Sequence, residues 1–172
     1  PLLGKRLRLD VLRVRGAMLD IPESDEPFEL PHWPDLLPQI EMPLAIQADA
    51  LAIDGLRITR GAQPLIDIRH AKGSIDIGNG YFKADKLAID SDRGRIAVHG
   101  SYEPRKHYDT DVLATVVFPA KPGHAPARLG LVARGDRRKM DIGVGGNAPA
   151  PVRVFLGVRG ENKPTWVFNG KT

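Results

Sequence analysis

The chain is predicted to be all-β: a long, largely antiparallel sheet of about ten strands with little or no helix. Three observations predict this. Apolar and polar residues alternate with period two along most of the sequence. The alternating runs are punctuated by Gly, Pro, Asn and Asp at intervals of roughly 10 to 15 residues. Only one short stretch, Asp35 to Ile40, reads as helix. Period two puts successive side chains on opposite faces of a strand, and strands so close in sequence need hairpins, which make antiparallel pairs.

The first strand starts at Lys5, with Leu7, Leu9 and Val11 alternating with charged residues. At Val11–Leu12 the phase slips, and Leu12 and Val14 continue it against Arg13 and Arg15. A one-residue slip exchanges the two faces unless a bulge absorbs it, so a bulge or bend is expected there. Residues 22–43 then hold Pro22, Pro27, Pro31, Pro34, Pro38 and Pro43 together with Glu23, Asp25 and Glu26. Proline cannot donate to a sheet ladder, so this stretch is a connector. Asp35 to Ile40 is the one place where a helical turn is expected, packed down by Trp33.

Alternation returns with Leu44 and Ile46, slips to Leu51 and Ile53, and slips again at Asp54–Gly55 before Leu56 and Ile58. Gly61 to Pro64 reads as a turn. Ile66 and Ile68 form the next strand, continued by Ile75 and Ile77 after a slip near Gly73, and Gly78-Asn79-Gly80 supplies a tight hairpin. Ala84, Leu87 and Ile89 follow, Ser91 to Gly94 turns the chain, and Ile96 and Val98 run to Gly100. A turn around Glu103-Pro104-Arg105 leads to Val112, Ala114, Val116 and Phe118. Residues 119–126 form a second proline-rich connector. The sequence closes with strands from Leu129 to Ala133, Met140 to Val144 and Val152 to Val158, and Trp166 to Phe168 starts one more.

Composition narrows the chemistry. The 172 residues include no cysteine, which removes disulfide frameworks, thiolate zinc sites and cysteine nucleophiles. Aromatic residues make up 6% of the chain. Gly 18 and Pro 15 together are about 19%, against an average near 12%, and they read as punctuation between strands. The net charge of +4 comes from 25 basic and 21 acidic residues that are finely interspersed, so it reads as a solvated surface and not as a polyanion footprint. No run reaches the 18 apolar residues of a membrane span, and there is no signal-peptide pattern. The start at Pro1 in place of Met is read as a piece of a longer protein.

No motif carries catalysis. His32, His70, His99, His107 and His124 never fall at metal-ligand spacing. Asp109 and Asp111 share a strand face without the spacing of a calcium loop and read as solvent-facing. No serine stands in a nucleophile elbow. Gly143-Val-Gly-Gly-Asn147 lacks the Lys-Ser/Thr of a phosphate loop and reads as a hairpin turn, and Arg134-Gly135-Asp136 as a charged turn. No enzyme, cofactor or metal is expected. One feature is left: apolar faces that are aliphatic, similar in size and continuous along the chain. Such a surface is either the core of an antiparallel sandwich or one face of a long curved sheet, a chute for acyl chains.

Leu51-Ala-Ile-Asp-Gly-Leu-Arg-Ile58, then Pro64-Leu-Ile-Asp-Ile-Arg-His-Ala-Lys-Gly-Ser-Ile75, then Leu87-Ala-Ile89, follow one another in a set order. Arg93-Gly-Arg-Ile-Ala-Val-His-Gly-Ser-Tyr102, with Pro104 and Tyr108, completes the series. This succession resembles the repeat texture of the TamB family (translocation and assembly module inner-membrane subunit), within the AsmA-like group. Residues 5–21, with Gly16-Ala17 before Ile21-Pro22, and 129–166, with Gly160 before Pro164-Thr165-Trp166, are similar to it too.

The resemblance implies that residues 1–172 are one segment of a longer repetitive, taco-like β-groove. It implies a periplasmic location and an inner-membrane anchor outside this segment. It further implies transport of phospholipid between the membranes and support of outer-membrane protein assembly with a TamA-like outer-membrane partner. On this reading the groove is lined by Ile66, Ile68, Ile75, Ile77, Leu87, Ile89, Ile96, Val98, Val112, Val116, Phe118, Leu129, Leu131, Met140, Ile142, Val144, Val152, Val154, Leu156 and Val158. The competing readings are a scaffold that pairs its sheet edges with client strands and a sandwich that binds carbohydrate. The second needs exposed aromatics, for which three tyrosines and two tryptophans are poor provision.

Overall fold

The computed structural model describes residues 6–21, 37, 39–40, 44–61, 63–147, 150–160 and 165–171. They form ten strands: β1 (Arg6–Ile21), β2 (Ala45–Arg60), β3 (Gln63–Gly78), β4 (Tyr81–Ser91), β5 (Gly94–Glu103), β6 (Asp109–Val117), β7 (Arg128–Gly135), β8 (Lys139–Asn147), β9 (Pro151–Arg159) and β10 (Thr165–Lys171). There is no helix among the described residues. All ten strands belong to one sheet in sequence order, so β1 and β10 are its edges and the sheet is not closed into a barrel. A two-sheet sandwich is therefore not what this sequence builds.

From β2 to β10 every pairing is antiparallel. β1 instead pairs with β2 in parallel, Leu7 opposite Ile46 and Leu19 opposite Ile58. A parallel neighbour needs a crossover of a dozen residues or more, and the proline-rich 22–43 stretch supplies it. The helical turn expected at Asp35–Ile40 does not form where it is described: Leu37, Gln39 and Ile40 are not helical, while Trp33 and Asp35 lie outside the described residues.

The phase slips of the sequence are irregularities of the ladder. β2 carries one extra residue against β3 between Ala48 and Leu51, and β1 slips with it, so Leu12 pairs with Leu51. Further shifts fall between Ile68 and His70 and between Lys72 and Ser74, and β4 shifts against β5 between Ala84 and Leu87. Each bulge bends its strand and returns the aliphatic residues to the same side. Val11 is the exception to the sequence reading. The slip falls before it, so it stands on the other face from Leu9 and is 51% exposed.

Gly143 to Asn147 is also corrected, because this run is the second half of β8 and not a turn. Gly146 explains part of its composition: a Cβ there would stand 2.0 Å from the Arg128 carbonyl oxygen across the ladder, at φ +156°, so only glycine fits.

Two buried clusters anchor the sheet. Leu51, Ala84 and Leu87 pack with Leu12, Ile53, Ile75, Phe82, Ile89 and Val98. Tyr108, Met140 and Val158 pack with Leu37, Tyr102, Ile142 and Leu156. Met140 and Val158 are 2% and 1% exposed. Leu37 belongs to the connector, whose Gln39 Nε2 donates to the Tyr108 hydroxyl at 2.5 Å and whose Ile40 carbonyl accepts from the Gly80 N–H at 2.8 Å. Leu37, Gln39 and Ile40 of the connector thus lie against one end of the aliphatic face.

A continuous aliphatic face as the candidate site

Residues directly opposite one another in adjacent strands point to the same side of a sheet. The register therefore decides which predicted residues share a face. Ile66 and Ile68 pair with Ile58 and Leu56 of β2. Ile75 and Ile77 stand between Ala48 and Ile46 on one side and Ala84 and Phe82 on the other. Ile89 pairs with Ile96, Ile96 with Val116, and Val116 with Leu129. Leu87 pairs with Val98, Val98 with Ala114, Ala114 with Leu131, Leu131 with Val144, and Val144 with Val154.

The rungs beyond these follow the same rule. Val112 joins Ala133 and then Ile142 and Leu156, while Met140 joins Val158, and Val152 stands opposite Gly146. All the predicted lining positions inside strands thus fall on one face. Phe118 lies one residue past the end of β6, 41% exposed, its N–H donating to the Ala127 carbonyl.

The same face also holds residues outside the predicted lining. Leu12, Val14, Leu51, Ile53, Leu56 and Ile58 extend it across β1 and β2, and Ala71, Ala84, Ala114 and Ala133 fill it between larger neighbours. The first group carried the alternation signal in plain view. Ala84 and Ala114 stood in the alternating phase as well, whereas Ala71 did not, because it lies just past a ladder shift.

Every strand contacts mainly its hydrogen-bonded neighbours, and among the described residues no second sheet covers this face. Its few polar groups are turned to partners within the chain. The Ser91 hydroxyl donates to the Gly94 carbonyl at 3.0 Å, and the Thr110 hydroxyl to the Tyr108 carbonyl at 2.6 Å. Burial, with a smaller contribution from neighbouring Tyr108, pushes the Tyr102 phenol up to about 12, so it stays neutral. The face offers apolar contact and nothing directional.

The other face carries paired charges together with an exposed apolar rung of Leu113, Val132 and Phe155. Arg57 meets Asp67, Arg69 meets Asp90, His70 meets Asp54, His99 meets Asp85, and Arg134 meets Asp111, all at 2.6–3.1 Å. Arg159 is bound to Asp141. Asp109 and Asp111 are both exposed there, as the sequence predicts. In the β7–β8 turn the Lys139 and Arg138 amides hydrogen-bond the Asp136 carboxylate and hold it below the usual carboxylate range. Among the described residues no three His, Asp or Glu converge as a metal site, and His32 lies outside them. No helix of the described chain is long and apolar enough to cross a membrane.

Comparison with protein-family models, with curated proteins and with solved structures finds no match to this chain.

Proposed function

We propose that the aliphatic face carries phospholipid acyl chains and that the chain is a periplasmic segment of a TamB-like, AsmA-like conduit between the inner and outer membranes. The observation that carries this is the unbroken apolar rung system: aliphatic side chains on one face of every strand from β2 to β9, with no second layer of strands over them among the described residues. Each CH₂ moved from water onto such a face gains roughly 0.8 kcal/mol, so a long acyl chain is held strongly against escape into water. Because the contacts are non-directional, no position is strongly preferred over the next, which permits sliding. Ten strands at about 4.8 Å spacing extend on the order of 45 Å, a segment of a longer path. In the full-length system a TamA-like outer-membrane protein is the partner, and the segment works without catalysis or cofactor.

A second reading is favoured by the edges. β1 presents 16 residues of strand with no neighbour on one side among the described residues, which is a template for pairing with a client protein's strand.

Ile96→Asp and Val116→Asp separate the readings. Both positions are half-buried on the uncovered face, so the variants remain folded, with a cooperative melt, while phospholipid binding falls at least tenfold. Loss of cooperative melting in both would place these residues in a closed core. Unchanged lipid binding by folded variants would favour the edge-pairing scaffold.

A further inference from the structure

We propose that the polar face holds a second, separate site: a hollow of about 740 Å³ that binds an amphiphilic anion, an alkyl chain ending in a phosphate. Its floor is the rung Ala52, Lys72, Ala88, Ala97 and Thr115, paired in that order from β2 to β6 on the face opposite the aliphatic one. Three alanine methyl groups leave the sheet low between taller neighbouring rungs. The run from β2 to β6 is roughly 19 Å long at ordinary strand spacing, and the volume lies in the usual range of ligand sites. The three alanines take an alkyl chain by contact, and Lys72 adds a cation to the same rung.

The head group is selected by charge. In the next rung Arg95 pairs with Val117 and Val117 with Arg128, so two guanidinium groups flank one valine, their strands about 10 Å apart. Both line the hollow. Neither forms an ion pair or a side-chain hydrogen bond among the described residues. The two carboxylates that also line the hollow have their close partners elsewhere, Asp54 with His70 at 3.0 Å and Asp90 with Arg69 at 2.6 Å, although Asp90, facing Arg95 across the ladder, also feels the charge of Arg95. Two long arginine side chains reaching over Val117 can share one phosphate, whose geometry suits bidentate guanidinium contacts. This site does not depend on the role of the aliphatic face.

Calorimetric titration with dodecyl phosphate below its micellar concentration tests the proposal, with inorganic phosphate and dodecyl maltoside as separate arms. Dodecyl phosphate binds, at least tenfold more tightly than either comparison ligand. Arg95→Gln combined with Arg128→Gln weakens it at least tenfold without changing the melting curve. Arg153→Gln, a basic residue of the same face but outside the hollow, leaves it unchanged. Equal affinity for the maltoside or for inorganic phosphate overturns the proposal. So does wild-type binding by the double arginine variant, or an equal loss of binding in a folded Arg153→Gln variant.

Discussion

Tyr102 lies on the same rung as Phe82 and Thr110, packed in the cluster that also holds Met140 and Val158. Burial first, and Tyr108 second, raises its phenol from 10.0 to about 12. A group whose folded pKa is raised contributes stability that is complete below its unfolded pKa and is lost as pH climbs through the folded value. The window for Tyr102 is therefore pH 10 to about 12. Melting curves recorded from pH 9 to 12 are expected to show a steeper loss of stability in the wild type than in Tyr102→Phe. Identical slopes would mean that the phenol is not withdrawn from water. Its packing against Tyr108, Met140 and Val158 was not legible in the sequence, because no local pattern records which later segments come to lie around it.

Elements were legible in proportion to how far local chemistry decides them. The hairpins at Gly78–Tyr81 and Ser91–Gly94 follow from turn residues: Gly80 has φ +82°, and the Ser91 hydroxyl bridges its own turn. The bulge positions follow from phase slips, although Val11 landed on the other face because alternation cannot say on which side of a slip the extra residue sits. The parallel pairing of β1 with β2 was not legible, since strand direction is set by the path of the connector and its prolines say only that it is not a strand. The Gly143–Asn147 run misled for a related reason. Glycine marks turns, but it also marks close backbone approach within a sheet.

The connector is itself an element with a testable attachment. Gln39 to Tyr108 and Ile40 to Gly80 fasten it at the end of the aliphatic face. Gln39→Ala is expected to cost about 1 kcal/mol and to speed amide exchange at Gly80. Unaltered Gly80 exchange would show that the two attachments act independently.

At the scale of the whole molecule, the sheet has one aliphatic face and one face of paired charges with an exposed apolar rung of Leu113, Val132 and Phe155. The aliphatic face was readable from period two. Whether the apolar face closes on a second sheet was not, because alternation is the same for a sandwich and for a single sheet. The topology decides for a single open sheet.

The central claim is that the acyl chains in transit lie on the aliphatic face. A photo-crosslinking amino acid placed singly at Leu131, Val132, Ala133 and Arg134 of β7, away from the hollow on the opposite face, reads both faces of one strand in cells labelled for phospholipid. The account predicts phospholipid adducts at Leu131 and Ala133, with little at Val132 and Arg134. Adducts spread evenly over the four positions, or concentrated at Val132 and Arg134, would contradict it.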